Sequence, residues 1–164
     1  AQLDRFFFKL DVGYSSRADL AEILNRTTMG VESEVTRVLD GPTILEYQKL
    51  VRQVIVADHV QDYAVRLVLA THPNEQFATP MVNQFLRIGA SPRAAQALIL
   101  AGKVKALLDG RGNVSIEDIR SVMLPSMRHR ILLNFEGEAE GMNKDEVLTN
   151  IVETLPAEAG VGAA

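Results

Sequence analysis

The chain of 164 residues has no cysteine. That excludes disulfides and thiolate metal sites, and a reducing compartment is allowed without being required. Tryptophan is also absent and aromatics make up only 5% of the residues. No apolar run approaches the ~20 residues that span a bilayer, so membrane insertion is not expected. The Phe6-Phe7-Phe8 cluster is too short for a leader and is followed at once by charge. A phosphate-cradling loop, two glycines with four residues between them and then Lys and Ser or Thr, is missing as well. At Gly102-Lys103 the first glycine is replaced by Ala97 and the hydroxyl by Val104. No apolar strand ends in an Asp-Glu pair, since Asp145-Glu146 follows Met142-Asn143-Lys144. Three scattered histidines suggest no Ser–His–Asp arrangement, and His59 and His72 have no acidic partner in register for a metal. This chain alone is not expected to be catalytic.

What is present fits one domain with a single apolar core, 47% of residues being hydrophobic. The net charge of −4 disfavours a dedicated nucleic-acid binder. Apolar residues at 6, 8, 10 and 12 alternate as in a short strand, which would lack a ladder partner here. Ser16 and Asp19 form a capping-box pattern for a helix from Arg17 to Thr28, with Leu20, Ile23 and Leu24 as its apolar stripe and Gly30 as its end. Val31 to Gly41 reads as irregular, with an extended piece at Val35 to Leu39. Thr43 can cap a second helix to Gln53, buried by Ile44, Leu45, Leu50 and Val51. Asp58 can cap a third, with Val60, Ala64, Val65, Leu67 and Val68 inward.

The central stretch is Gly89-Ala90-Ser91-Pro92-Arg93-Ala94. Ser91 suits an N-cap and Pro92 the first helical position. Ala94 to Leu108 is apolar on almost every face, as expected of a core helix, and Gly110 stops it. Arg93 is the unusual choice, because a cation in the first turn opposes the helix dipole by about 0.3–1 kcal/mol. An anion bound there would reverse that cost, while the plainer reading is a pair with a nearby Asp or Glu. Beyond it, Ser115 caps a helix that Pro125 ends or kinks, and Met127 to Leu133 continues helically. Glu136, Glu138 and Glu140 fall on an extended, solvated segment. Arg120, Arg128, His129 and Arg130 lack interleaved aromatics and read as protein-facing or solvated. Asn143 caps a last helix to Thr154, with Val147, Leu148 and Ile151 inward, and the Ala/Gly-rich 156–164 reads as disordered.

Six landmarks occur in order: Ala1-Gln2-Leu3-Asp4-Arg5-Phe6, Gly13-Tyr14-Ser15-Ser16-Arg17, Val56-Ala57-Asp58-His59-Val60, Gly89 to Ala94, Ala106-Leu107-Leu108-Asp109-Gly110-Arg111 and His129 to Phe135. In these the chain resembles the C-terminal lid region of MoxR-type AAA+ ATPases from Gln2 to about Leu155; Ser15 stands where that family usually has proline. The resemblance implies a mainly α fold, a small helical-bundle lid over 13–155, preceded by one orphan β-strand (1–12) from the core of a longer protein. It further implies ATP and Mg²⁺ held by that core, with Arg93 as a lid arginine reaching the γ-phosphate. Arg5 resembles an arginine projected into a neighbour's ATP site, against the plainer reading of a solvated charge. His129-Arg130 would touch the core or a neighbouring subunit. Expected partners are the core of the same chain, neighbours in a hexameric ring and a client protein, in a cytoplasmic ATP hydrolase that remodels or matures other proteins. The alternatives are a stand-alone helical adaptor, a DNA-binding module that the acidic balance disfavours, and the lid of a magnesium-chelatase or MCM-type AAA+ protein.

Overall fold

Helix signals in the sequence are realised nearly everywhere, and they set the element order. The computed structural model describes residues 2–30 and 34–158. The expectations for 31–33 and 159–164 lie outside the described residues. A 3-10 turn, Leu3–Arg5, leads through an irregular segment to α1 (Arg17–Thr28), α2 (Gly41–Gln53) and α3 (Asp58–Leu69). Then come α4 (Pro80–Phe85), strand β1 (Leu86–Ile88), α5 (Pro92–Leu108) and α6 (Ile116–Met127). Strand β2 (Leu132–Leu133), α7 (Phe135–Ala139) and α8 (Lys144–Thr154) complete the order.

Local chemistry accounts for the boundaries. Ser16 and Asp19 close a full capping box on α1, as Ser115 and Asp118 do on α6. Asp40, not Thr43, caps α2, which begins at Gly41: the Asp40 carboxylate accepts the Thr43 N–H at 2.9 Å and the Thr43 hydroxyl at 2.6 Å. Asp58 is the first residue of α3, with Ala57 at the cap position. The helix containing Pro125 does not end there and runs to Met127. Proline removes one backbone donor, but flanking hydrogen bonds hold the last turn, including Arg128 N–H to Leu124 O at 3.0 Å.

The core lies where α3, α5, α6 and α8 meet, around Tyr63, Leu67, Leu98, Ile119, Met127, Ile131, Leu148 and Ile151. Small residues bring α5 against α6: a Cβ on Gly102 would stand 2.9 Å from Ile119 Cδ1 and 3.0 Å from Val114 Cγ1. The two strands pair antiparallel, Leu86 opposite Leu133 and Ile88 opposite Leu132, and clip the α4–β1 turn to the chain after α6.

Several expectations change. Phe6 to Val12 is not a strand, because no described strand lies beside it to supply a ladder; side chains donate to its carbonyls and the Pro125 carbonyl accepts its Lys9 N–H instead. Met127 to Leu133 does not continue as helix: the chain turns at 128–130 and enters β2. The acidic Glu136–Glu140 stretch is mostly helical, since Asn134 caps α7 by accepting the Gly137 N–H at 2.9 Å. Leu20, Ile23, Leu24, Ile44, Leu45 and Leu50 are exposed, so the stripes of α1 and α2 are not buried within this chain. Val65 is exposed as well, and so are Leu100, Val104 and Leu108 on α5, which is a core helix on one side only. At the C-terminal end Pro156 and Ala157 are tied down, their carbonyls accepting from the buried Arg66 at 2.8 and 3.0 Å.

Candidate functional site

The N-terminus of α5 is positioned by the residues immediately before it. A Cβ on Gly89 would lie 2.3 Å from His72 Cδ2 and 2.7 Å from the Thr71 carbonyl oxygen, so only glycine allows this approach to the end of α3. The buried Thr71 hydroxyl accepts the Ala90 N–H at 2.8 Å and donates to Val68 O at 2.6 Å. His72 Nε2–H donates to Ala90 O at 2.8 Å. Pro92 then opens α5 at the position where its missing N–H costs least.

Ser91 does not act as a side-chain cap. Its hydroxyl donates to Asp4 Oδ1 at 2.8 Å, a charge-assisted bond. Arg93 extends from the first turn of α5 and donates through Nη1 to Asp4 Oδ2 at 3.0 Å. Its side chain remains 53% exposed. The plainer sequence reading of Arg93, a pair with a nearby carboxylate, is therefore met in this structure.

Asp4 is the residue that sequence reasoning passed over. It lies inside the quoted Leu3-Asp4-Arg5-Phe6, yet 87 and 89 residues separate it from Ser91 and Arg93, so no spacing could signal the contact. On its other side stands Arg130, only 3% exposed, with Nε 3.3 Å from Asp4 Oδ1. Arg130 Nη2 donates to Phe6 O at 2.8 Å and Asp4 O at 3.3 Å, and Nη1 donates to Phe7 O at 3.2 Å and to Ser126 O. His129 Nε2–H also donates to Phe6 O, at 2.9 Å. These two residues thus grip the N-terminal segment of their own chain.

The electrostatics follow from these contacts. Burial would raise the Asp4 carboxyl, but hydrogen bonds from Ser91 and Arg93 and the charge of Arg130 bring it below the ordinary carboxylate value. Burial lowers His129 first, the bond to Phe6 O opposes, and the Arg130 charge lowers it further. Arg5 sits in the 3-10 turn next to Asp4, exposed beside a shallow cavity of about 350 Å³ that Gln2 and Phe6 also line. The structure brings Arg93 to the immediate chain neighbour of Arg5.

Arg120, Arg128, Arg111 and Lys103 have structural partners. Arg120 Nε donates to the Tyr63 hydroxyl at 2.9 Å, and Arg128 pairs with Asp145 at 2.8 Å and Asp11 at 3.0 Å. Arg111 forks onto the buried Asp118 at 2.7 and 2.8 Å, which lowers that carboxyl. Lys103 lies in mid-α5 and donates to Arg52 O at 3.2 Å, which is no phosphate loop. Among the described residues no group of three or more His, Asp and Glu is placed to hold a metal ion, and no helix is long and apolar enough to cross a membrane.

Residues 79–151 match the AAA lid domain family. The chain is 34% identical over 94% of its length to the chaperone MoxR1 of Mycobacterium tuberculosis, covering 41% of that protein. It is 30% identical over 94% of its length to YeaC, an uncharacterised protein of Bacillus subtilis, covering 46% of it. The crystal structure of a candidate ATPase from Cytophaga hutchinsonii superposes with a TM-score of 0.85 at 28% identity. That match covers 94% of this chain and 47% of the other. The chain thus spans less than half the length of these relatives.

Proposed function

The chain carries an AAA lid domain and is homologous to MoxR proteins, and from that premise we propose that it is the lid of an ATP-driven machine that remodels or matures other proteins. Bound ATP with Mg²⁺ supplies a phosphoanhydride whose terminal phosphate gathers charge as it transfers. Within this chain the residue suited to meet that charge is Arg93. What carries the reading is its position: the first turn of α5, a guanidinium more than half exposed, and a single nitrogen engaged by Asp4. The remaining N–H groups of the fork fit phosphate oxygens, as arginine's planar donor set does generally. In this reading the Mg²⁺ is held by the nucleotide-binding core of a longer protein.

In this role Arg93 closes the lid on the nucleotide and lets go after hydrolysis, and α5 carries that change into the helices packed on it. Arg5, exposed on the 3-10 turn, serves the ATP site of an adjacent subunit in a ring. The name of the mycobacterial relative, a chaperone, supports the remodelling part of the reading.

The test is Arg93→Ala in the native protein. Turnover of ATP falls on the order of 10³-fold if the arginine meets transferring phosphate. Stability stays within about 1 kcal/mol, because an exposed ion pair contributes little and a cation is removed from a helix N-terminus. Near-normal turnover in a folded, assembled Arg93→Ala protein overturns the reading.

A further inference from the structure

The two oxygens of the Asp4 carboxylate have different tasks. Oδ1 faces inward, where it accepts from the Ser91 hydroxyl at 2.8 Å and lies 3.3 Å from Nε of the buried Arg130. Oδ2 faces Arg93 and takes Nη1 at 3.0 Å. The backbone on both sides is held too, since Arg130 donates to the carbonyls of Asp4 and Phe6, and His129 to Phe6. One edge of the carboxylate is therefore anchored in the fold while the other is presented to a flexible, half-exposed side chain.

An unrestrained arginine at that exposure spreads over many rotamers, and a phosphate would have to select one of them. A carboxylate gripping Nη1 restricts the guanidinium plane and leaves its other N–H groups directed away from Asp4. We infer that Asp4 is a positioning residue that holds the Arg93 guanidinium ready for the terminal phosphate, with Ser91 and Arg130 keeping Asp4 in place. The inference rests on the phosphate-contacting role given to Arg93 above and assigns the residues that prepare it.

Asp4 does not compete with phosphate in this arrangement. Arg93 can keep Nη1 on Oδ2 while its other nitrogens engage an anion, as a carboxylate can orient a charged partner without leaving it. The low carboxyl pKa is consistent with a carboxylate that stays charged throughout.

Asp4→Asn tests this in the native protein. The amide oxygen can still accept from Ser91 and face Arg130, while its NH₂ meets the Arg93 donor and the grip is lost. Turnover is expected to fall between about 10- and 100-fold, the range for misplacing a catalytic contact. On the Arg93→Ala background the same change should cost less than about twofold, because Asp4 then has nothing to position. Ser91→Ala, which loosens the carboxylate without altering charge, should lower turnover less and likewise only when Arg93 is present. In the 164-residue chain the Arg93 side-chain N–H signals should broaden or shift in Asp4→Asn.

The outcomes separate cleanly. If Arg93→Ala abolishes turnover and Asp4→Asn leaves it unchanged in folded protein, the positioning role is overturned while the lid reading stands. If Asp4→Asn lowers turnover equally with and without Arg93, Asp4 acts elsewhere and the inference is overturned. If Arg93→Ala itself leaves turnover intact, the lid-arginine reading fails and the positioning role fails with it.

Discussion

His129 has one satisfied ring nitrogen and one enclosed without a partner. Its Nε2–H is taken by Phe6 O, whereas Nδ1 is buried and meets no donor or acceptor. Protonating Nδ1 would bury a charge and an unmatched N–H, which is why burial, chiefly, lowers this histidine from 6.5. The unfolded chain then binds more protons than the folded one below 6.5. His129 accordingly contributes full stability above that value, and the contribution declines as pH falls from 6.5 through the folded pKa. Denaturant midpoints measured from about pH 7 to about pH 5 should fall, and His129→Gln should flatten that fall. An unchanged slope in the variant would remove His129 from the acid response. Asp118 acts in a lower window. Held down first by Arg111, its carboxyl contributes stability above its ordinary 3.8 that is lost as pH falls below it toward the folded value.

At the scale of the element, α5 depends on how its first turn is delivered. Gly89 and the Thr71–Ala90–His72 bonds fix where the helix begins, and Gly102 lets its middle lie against α6. Gly89→Ala pushes a methyl into the Thr71 carbonyl as well as the His72 ring, and backbone cannot yield as a side chain can. The expected cost is about 1–3 kcal/mol, together with a shift of the α5 N-terminus that carries Arg93 with it. Gly112→Ala is the matched control, since nothing lies within 4 Å of a Cβ there. Thermal melts of the two variants decide the point: equal melting temperatures would show that the Gly89 approach is not tight.

For the whole molecule, the N-terminal segment is part of what the helical domain binds. Arg130, His129 and Arg93 all find acceptors on residues 4–7, and Lys9 N–H donates to Pro125 O at 2.9 Å. Deleting residues 1–12 should leave the helical circular dichroism in place, because the core residues of α3, α5, α6 and α8 are not in that segment. It should lower the denaturant midpoint by the equivalent of about 1–3 kcal/mol, since Arg130 and His129 lose bonds made in a sheltered site. Self-association should fall as well, as the segment exposes Phe6, Leu10 and Val12. A truncated chain with an unmoved midpoint would show that these contacts add nothing.

Local chemistry made much of this molecule legible from its sequence. The capping box at Ser16, the cap at Ser115, Pro92 at the start of α5 and the turn glycines at 30 and 110 act within a few residues, so pattern alone places them. The inward residues Val147, Leu148 and Ile151 follow from helical period in the same way. Tertiary structure decided what depends on residues far apart in the chain. Alternation at Phe6 to Val12 suggests a strand, but a strand needs a neighbour, and the segment instead yields its carbonyls to Arg130 and His129. Ser91 has the right chemistry for a cap, yet no helix N–H reaches its oxygen, and its hydroxyl donates to a carboxylate 87 residues away in the chain. Arg93 was conspicuous because it opposed its own helix dipole. The carboxylate it faces could be found only once the fold had brought the two ends of that separation together, since no local period encodes such a contact.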